Sequence, residues 1–93
     1  MEQAESEVLI DTERVRVTMW KFAPGLATGI HRHEFDYVVV PVSGGTFTIT
    51  SADGTTDMNQ EAGQAYARQA GVEHDVANTG PERAVFVEVE LKP

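Results

Sequence analysis

The sequence predicts an all-β domain, a small sandwich or barrel, and three observations carry that prediction. Apolar and polar residues alternate over short runs along most of the chain. Turn residues interrupt those runs at intervals of about eight to twelve residues, the spacing of sandwiches and barrels. No run sustains a helical period, and no low-complexity linker divides the chain.

Each element follows from its residues. Residues 1–7 are polar and are expected to form a flexible tail on a single domain spanning 1–93. In "RVRVTMWKF" (14–22), Val15, Val17 and Met19 share one face of a strand, and Thr18, Trp20 and Phe22 share the other. Both faces carry apolar bulk, so both are expected to be covered, by the "VLI" segment (8–10) or by a second subunit. "APG" (23–25) ends that strand. "TGIHRH" (28–33) begins another and "YVVVPV" (37–42) follows. Pro41 has no N–H for a ladder bond, so its strand is an edge or is bulged there. "SGG" (43–45) is a turn, and "TFTIT" (46–50) alternates with Phe47 and Ile49 together. The Asp-Gly of "SADGT" (51–55) signals a hairpin. "QAYAR" (64–68) and "AGVEHDVAN" (70–78) supply further strands after turns. In "AVFVEVEL" (84–91), Val85, Val87, Val89 and Leu91 share a face, and Phe86, Glu88 and Glu90 share the other. An exposed edge is the default expectation for Glu88.

Composition bounds the function. At 93 residues the chain makes one domain. A chain of this size buries only about 60–70% of the surface it exposes when unfolded, so a partner or a metal adds usefully to its stability. A net charge of -8 argues against nucleic acid and against an anionic membrane surface. With no cysteine there is no disulfide, zinc ribbon or thiol nucleophile. Any metal must be held by histidine, carboxylate or phenol oxygen. The N-terminus lacks the pattern of a signal peptide, and Val38–Val42 is too short to cross a bilayer. A cytoplasmic protein is expected.

The chemistry-bearing residues are the three histidines. His31 and His33 are two apart in a strand, so both leave the same face. His74 lies on a later strand, and inward residues from different strands of a small barrel converge. Taken alone, a His-x-His pair is more often a pair of exposed polar residues than a metal site.

Two longer patterns add weight. Gly25, His31, His33, Tyr37 and Gly44 form one spaced set; Gly63, Gln69, Gly71, His74 and Asn78 form a second. In these spacings the chain resembles the cupin superfamily, the small double-stranded β-helix (jelly-roll) barrels. Tyr37 stands where the first cupin motif has glutamate, and Gln69 where the second has proline. "FAPG", "HEFDYVVVP" and "AGVEHDV" are similar to small cupins associated with β-alanine degradation.

The resemblance implies a divalent metal ion, Fe, Zn, Ni or Mn, ligated by His31, His33 and His74 at the barrel mouth. It implies a homodimer and a small-molecule ligand, such as an organic acid or an amino-acid-derived metabolite. With iron, a three-histidine site resembles certain cupin dioxygenases; with zinc, isomerisation or proton abstraction fits better. A non-catalytic small-molecule-binding or sensing barrel, with or without metal, is the alternative. Three neutral imidazoles leave the charge of the ion uncompensated. Tyr37 then stands as phenolate ligand, hydrogen-bond donor or acid/base catalyst, or as a packed core tyrosine. Strict alternation from His33 places Phe35 and Tyr37 inward and Glu34 and Asp36 outward; a hairpin between the histidines and Tyr37 is the alternative that would turn an acid inward. Tyr66, Arg68, Phe47 and Phe86 are candidates to line the substrate pocket. A guanidinium at Arg68 suits a carboxylate, although a surface salt bridge also accounts for it. Gly25, Gly44, Gly63 and Gly71 are expected at backbone turns.

Overall fold

A computed structural model describes residues 3–93, and those residues form nine strands and no helix. The strands are β1 (Glu5–Asp11), β2 (Val15–Phe22), β3 (His31–Arg32), β4 (Asp36–Pro41), β5 (Gly45–Ser51), β6 (Gly54–Gln60), β7 (Tyr66–Arg68), β8 (Glu73–Asn78) and β9 (Ala84–Leu91). They make a five-stranded sheet, β1-β2-β9-β4-β7, and a four-stranded sheet, β3-β8-β5-β6. Every paired strand is antiparallel to its neighbour.

The inner faces meet on three phenylalanines. Phe22 of β2 and Phe86 of β9 come from one sheet, and Phe47 of β5 comes from the other. Phe47 meets Phe22 edge-on at 5.1 Å between ring centroids and Phe86 at 5.8 Å. Offset and edge contacts of this kind add to the burial energy of the rings, roughly 1.5–3 kcal/mol each. Thr18 and Phe22 are buried on the inner face of β2, as the alternation of that strand predicts.

The segments around this core depart from expectation in several places. First, the supposed tail is paired. The Ala4 N–H donates to Ala27 O at 2.8 Å, and β1 starts at Glu5; residues 1 and 2 lie outside the described residues. Second, "VLI" does not cover the outer face of β2. It runs beside β2 at the sheet edge, bulged between Val8 and Ile10, and leaves Val8 56% and Ile10 50% exposed. Third, β9 is central, flanked by β2 and β4. Its buried residues are Ala84, Phe86, Glu88 and Glu90, and its valines are half-buried on the outside. Glu88 is therefore not at an exposed edge. Fourth, Gly44 adopts no positive φ, whereas a Cβ on Gly45 would sit 2.8 Å from Ala84 Cβ. Gly45 is the position that backbone packing requires to be glycine.

β4 is neither the edge strand nor the bulged strand expected from Pro41, since it lies between β9 and β7 in unbroken register, yet the proline is accommodated. Pro41 lies where β7 has ended: β7 pairs with residues 37–39 of β4. The Pro41 carbonyl accepts from Gly63 N–H at 2.8 Å on that side, so the missing proline N–H breaks no ladder. The β5–β6 hairpin turns through Ala52 and Asp53. Gly54 takes the positive φ of +123° immediately afterwards, so the glycine follows the turn rather than centring it.

Asn78 explains part of the second motif. It is fully buried, and its Nδ2 donates to Phe22 O at 3.0 Å and Glu82 O at 2.8 Å. Its Oδ1 accepts from Gly80 N–H, and its backbone exchanges hydrogen bonds with Gly25 and Leu26. One side chain thus ties the end of β2 to the loop before β9, with its polar atoms satisfied.

Candidate metal centre

The centre is built where β3 meets β8. His31 stands opposite His74 in that ladder. The backbone of His33 continues the pairing, with its N–H donating to Val72 O and its carbonyl accepting from Gly71 N–H, both at 2.9 Å. Residues two apart share a face, so His31, His33 and His74 all turn into the same end of the barrel. The His31 and His33 Nε2 atoms lie 3.1 Å apart, and those of His74 and His33 lie 3.3 Å apart. The ligand atoms of the three residues all fall within 4.8 Å of one another.

The protons are arranged for binding a cation. His31 Nδ1 lies 2.9 Å from Gly29 O, which only accepts, so Nδ1 carries the proton and Nε2 a lone pair. Thr28 Oγ1, 3.1 Å from the same Nδ1, also donates to Gly29 O and accepts from Val76 N–H. This is the outer support that sets tautomer and ring orientation in metal-binding histidines. Burial, reinforced by the neighbouring imidazoles, pushes His33 down to about 4. Burial and His31 push His74 down to about 4. Both rings are therefore neutral near pH 7.

These residues fit a metal ion. Imidazole nitrogens about 2.0–2.1 Å from one ion lie about 2.8–3.0 Å apart as cis neighbours in an octahedron and about 3.3–3.4 Å apart in a tetrahedron. The observed separations fall within the span of the two, and a lone pair 3.1 Å from another ring nitrogen calls for a proton or a cation between them.

A cavity of about 120 Å³ opens beside the histidines, room for about four water molecules' worth of ligand. Its wall includes Tyr37, Tyr66, Arg68, Phe86 and Glu88. Tyr37 is buried and lies flat on His33, with ring centroids 3.8 Å apart. Burial, with Glu88 and Tyr66 nearby, pushes its phenol up to about 12, so the group is a proton donor in the absence of a cation. Burial also raises the Tyr66 phenol. The Arg68 guanidinium sits 4.6 Å above the Tyr66 ring and donates to Ala67 O. Among the described residues it makes no salt bridge.

Two sequence expectations, for Phe47 and Phe35, are corrected here, and the outward placement of Glu34 and Asp36 is met. Phe47 is wholly in the core and does not line the cavity. Glu34 and Asp36 are exposed, and Asp36 Oδ1 caps Ala70 N–H at 2.8 Å, so neither acid enters the centre. Phe35, expected inward, is half-buried and 6.0 Å from the Arg16 guanidinium carbon, because the chain bends between His33 and β4.

Two buried carboxylates enter instead from β9. Glu88 Oε2 lies 3.9 Å from His33 Nε2, and Glu88, Glu90 and His33 form a second cluster of potential ligands. Glu90 is gripped by Arg16 through Nε at 2.8 Å and Nη2 at 3.0 Å. Burial and the Glu90 charge push the Glu88 carboxyl up to about 7. The sequence signal for Glu88 was its parity with Phe86, and that for Thr28 was its place three residues before His31.

Comparison with known proteins agrees with this fold. The profile of the family described as Cupin domain matches residues 18–90. The Beta-alanine degradation protein BauB of Pseudomonas aeruginosa is 50% identical over 90 residues, covering 97% of this chain and 95% of that protein. A cupin domain crystal structure from Bordetella pertussis Tohama I is 44% identical, with a TM-score of 0.96, over 99% of this chain and 96% of the other. An RmlC-like protein with a double-stranded β-helix fold from Methanocaldococcus jannaschii shares the fold at 18% identity, with a TM-score of 0.82, over 99% and 83% of the two chains.

Proposed function

The chain belongs to the cupin domain family, and on that premise we propose that it is a metal-binding small cupin. It holds a divalent ion (iron, zinc, nickel or manganese) on His31, His33 and His74. Through that centre it binds or converts a small organic acid or amino-acid-derived metabolite. The observation that carries this reading is the convergence of the three Nε2 atoms, 3.1 and 3.3 Å apart in successive pairs.

The bound ion supplies Lewis acidity toward an oxygen donor of the ligand. The chain's own residues do the rest. Thr28 and Gly29 hold the His31 tautomer. Arg68, stacked on Tyr66, offers a planar fork to a carboxylate at the cavity mouth. Tyr37 assists as a protonated phenol beside His33, placed to donate a hydrogen bond into the cavity. Trp20, Met58 and Phe86 make apolar wall that keeps water from competing. The relative named for β-alanine degradation supports a short amino-acid-derived acid as the ligand.

A homodimer in the cytoplasm belongs to the same proposal. The half-buried outer pair Val17 and Val89, with exposed Val8 and Ile10 at the sheet edge, supports a second copy as cover. Among the described residues no helix is long and apolar enough to cross a membrane.

Metal analysis of the purified protein, with melting before and after chelation, tests the centre. About one ion per chain is expected, and chelation lowers Tm because an ion that binds only the folded state stabilises it by mass action. His74→Ala lowers metal content with little loss of fold. A protein that takes up none of the four ions, and whose Tm ignores chelator, is a metal-free binding barrel instead.

A further inference from the structure

We propose that Glu88 supplies the carboxylate of this centre and binds the ion together with the three histidines. It would take, from β9, the role of the glutamate that position 37 lacks. The inference rests on the metal reading above and adds a residue that the two sequence motifs do not contain.

Four observations converge on Glu88. It is only 8% exposed, and it lines the same cavity as His31 and His74. Its Oε2 lies 3.9 Å from His33 Nε2, so the carboxylate approaches the centre from the His33 side. The register sets Glu90 opposite Tyr37 and Glu88 opposite Val39, so Glu88 is the next inward residue of β9 after the one that faces the motif position. Finally, its neighbour has a cation and it has none. Glu90 takes both arms of Arg16, whereas among the described residues no hydrogen-bond donor reaches the Glu88 carboxylate.

The Glu88 carboxylate opens on the cavity with little solvent around it, and a cation beside it there would stabilise its charge. Three neutral imidazoles leave the full charge on a divalent ion. A carboxylate at the fourth position reduces that charge and adds a hard oxygen donor, which favours iron, manganese or zinc over softer ions. Tyr37 cannot do this as a neutral phenol. Its ring instead packs against His33.

The test is calorimetric titration of chelator-stripped protein with Zn(II) and Mn(II), for wild type, Glu88→Gln, Glu88→Asp and His74→Ala. Glu88→Gln keeps shape and loses charge, and should weaken binding by at least the roughly 10-fold that loss of an outer-shell partner costs. Glu88→Asp keeps the charge on a shorter arm and should weaken it less. His74→Ala should weaken it at least as much as Glu88→Gln. Should Glu88→Gln fail to fold, infrared difference spectra of the wild type carry the test: Zn(II) should shift a carboxylate stretch. Wild-type affinity in Glu88→Gln, or no carboxylate shift, overturns the role of Glu88 while leaving the histidine site intact. Absence of ion binding in the wild type removes the metal reading as well.

Discussion

Tyr37 and His33 lie face to face, 3.8 Å between ring centroids and 20° from parallel. The tyrosine at the motif's glutamate position thus acts on the centre through the plane of an imidazole. It buttresses the His33 ring at right angles to the direction in which that ring offers its lone pair.

Tyr37→Phe keeps the stack and loses only the hydroxyl. Metal content should match wild type, and stability should change by less than about 1 kcal/mol. Tyr37→Ala removes the stacked ring and should cost about 3–5 kcal/mol, as for other large aromatic deletions. Metal analysis and urea unfolding of the two variants separate a packing role from a ligand role. Loss of the ion in Tyr37→Phe would make the phenol a ligand.

The buried titratable groups give metal-free protein a defined pH response. His33 and His74 titrate at about 4 when folded, against 6.5 for free histidine. As pH falls through the ordinary histidine range the unfolded chain takes up protons that the folded chain refuses. Their contribution to stability is lost between about pH 6.5 and pH 4. Glu88 runs the other way. Its folded value is about 7 against 4.5, so the folded state keeps a proton that the unfolded state releases, and stability is lost as pH rises through that range. Glu88→Gln removes only the second response. Relative to wild type, its urea midpoint after chelation should rise between pH 4.5 and pH 7.5.

Arg16 is the counterion of a buried acid. Its side chain is 36% exposed while that of Glu90 is 10% exposed. Arg16→Met leaves Glu90 unpaired beside Glu88. Discounting for solvent at the arginine, the loss should be about 1–3 kcal/mol at pH 7. Urea unfolding measures it. An unchanged midpoint would mean that solvent replaces the guanidinium at no cost.

The two glycines before β5 should behave differently. Gly45→Ala drives a Cβ to 2.8 Å from Ala84 Cβ, whereas Gly44→Ala meets only Gln60 O at 3.6 Å. The first should cost about 1–3 kcal/mol by overpacking, and the second should stay within about 0.5 kcal/mol. For a domain of this size, each 1 kcal/mol moves Tm by about 4–8 °C, so melting curves resolve the pair.

From its residue order alone, the chain declared a β class, the turns, and the three histidines on two strands. Alternation puts residues two apart on one face whatever the fold, which is why His31 and His33 stay together and why Phe86 and Glu88 do. What alternation leaves open is which face is inside. That was decided when β9 took its place between β2 and β4. Phe86 then joined Phe22 and Phe47 in the core, and parity carried both glutamates in with it, toward Arg16 and His33. Edge or centre, tail or strand, and the partner of each buried charge are long-range pairings, and they exist only once distant segments have met.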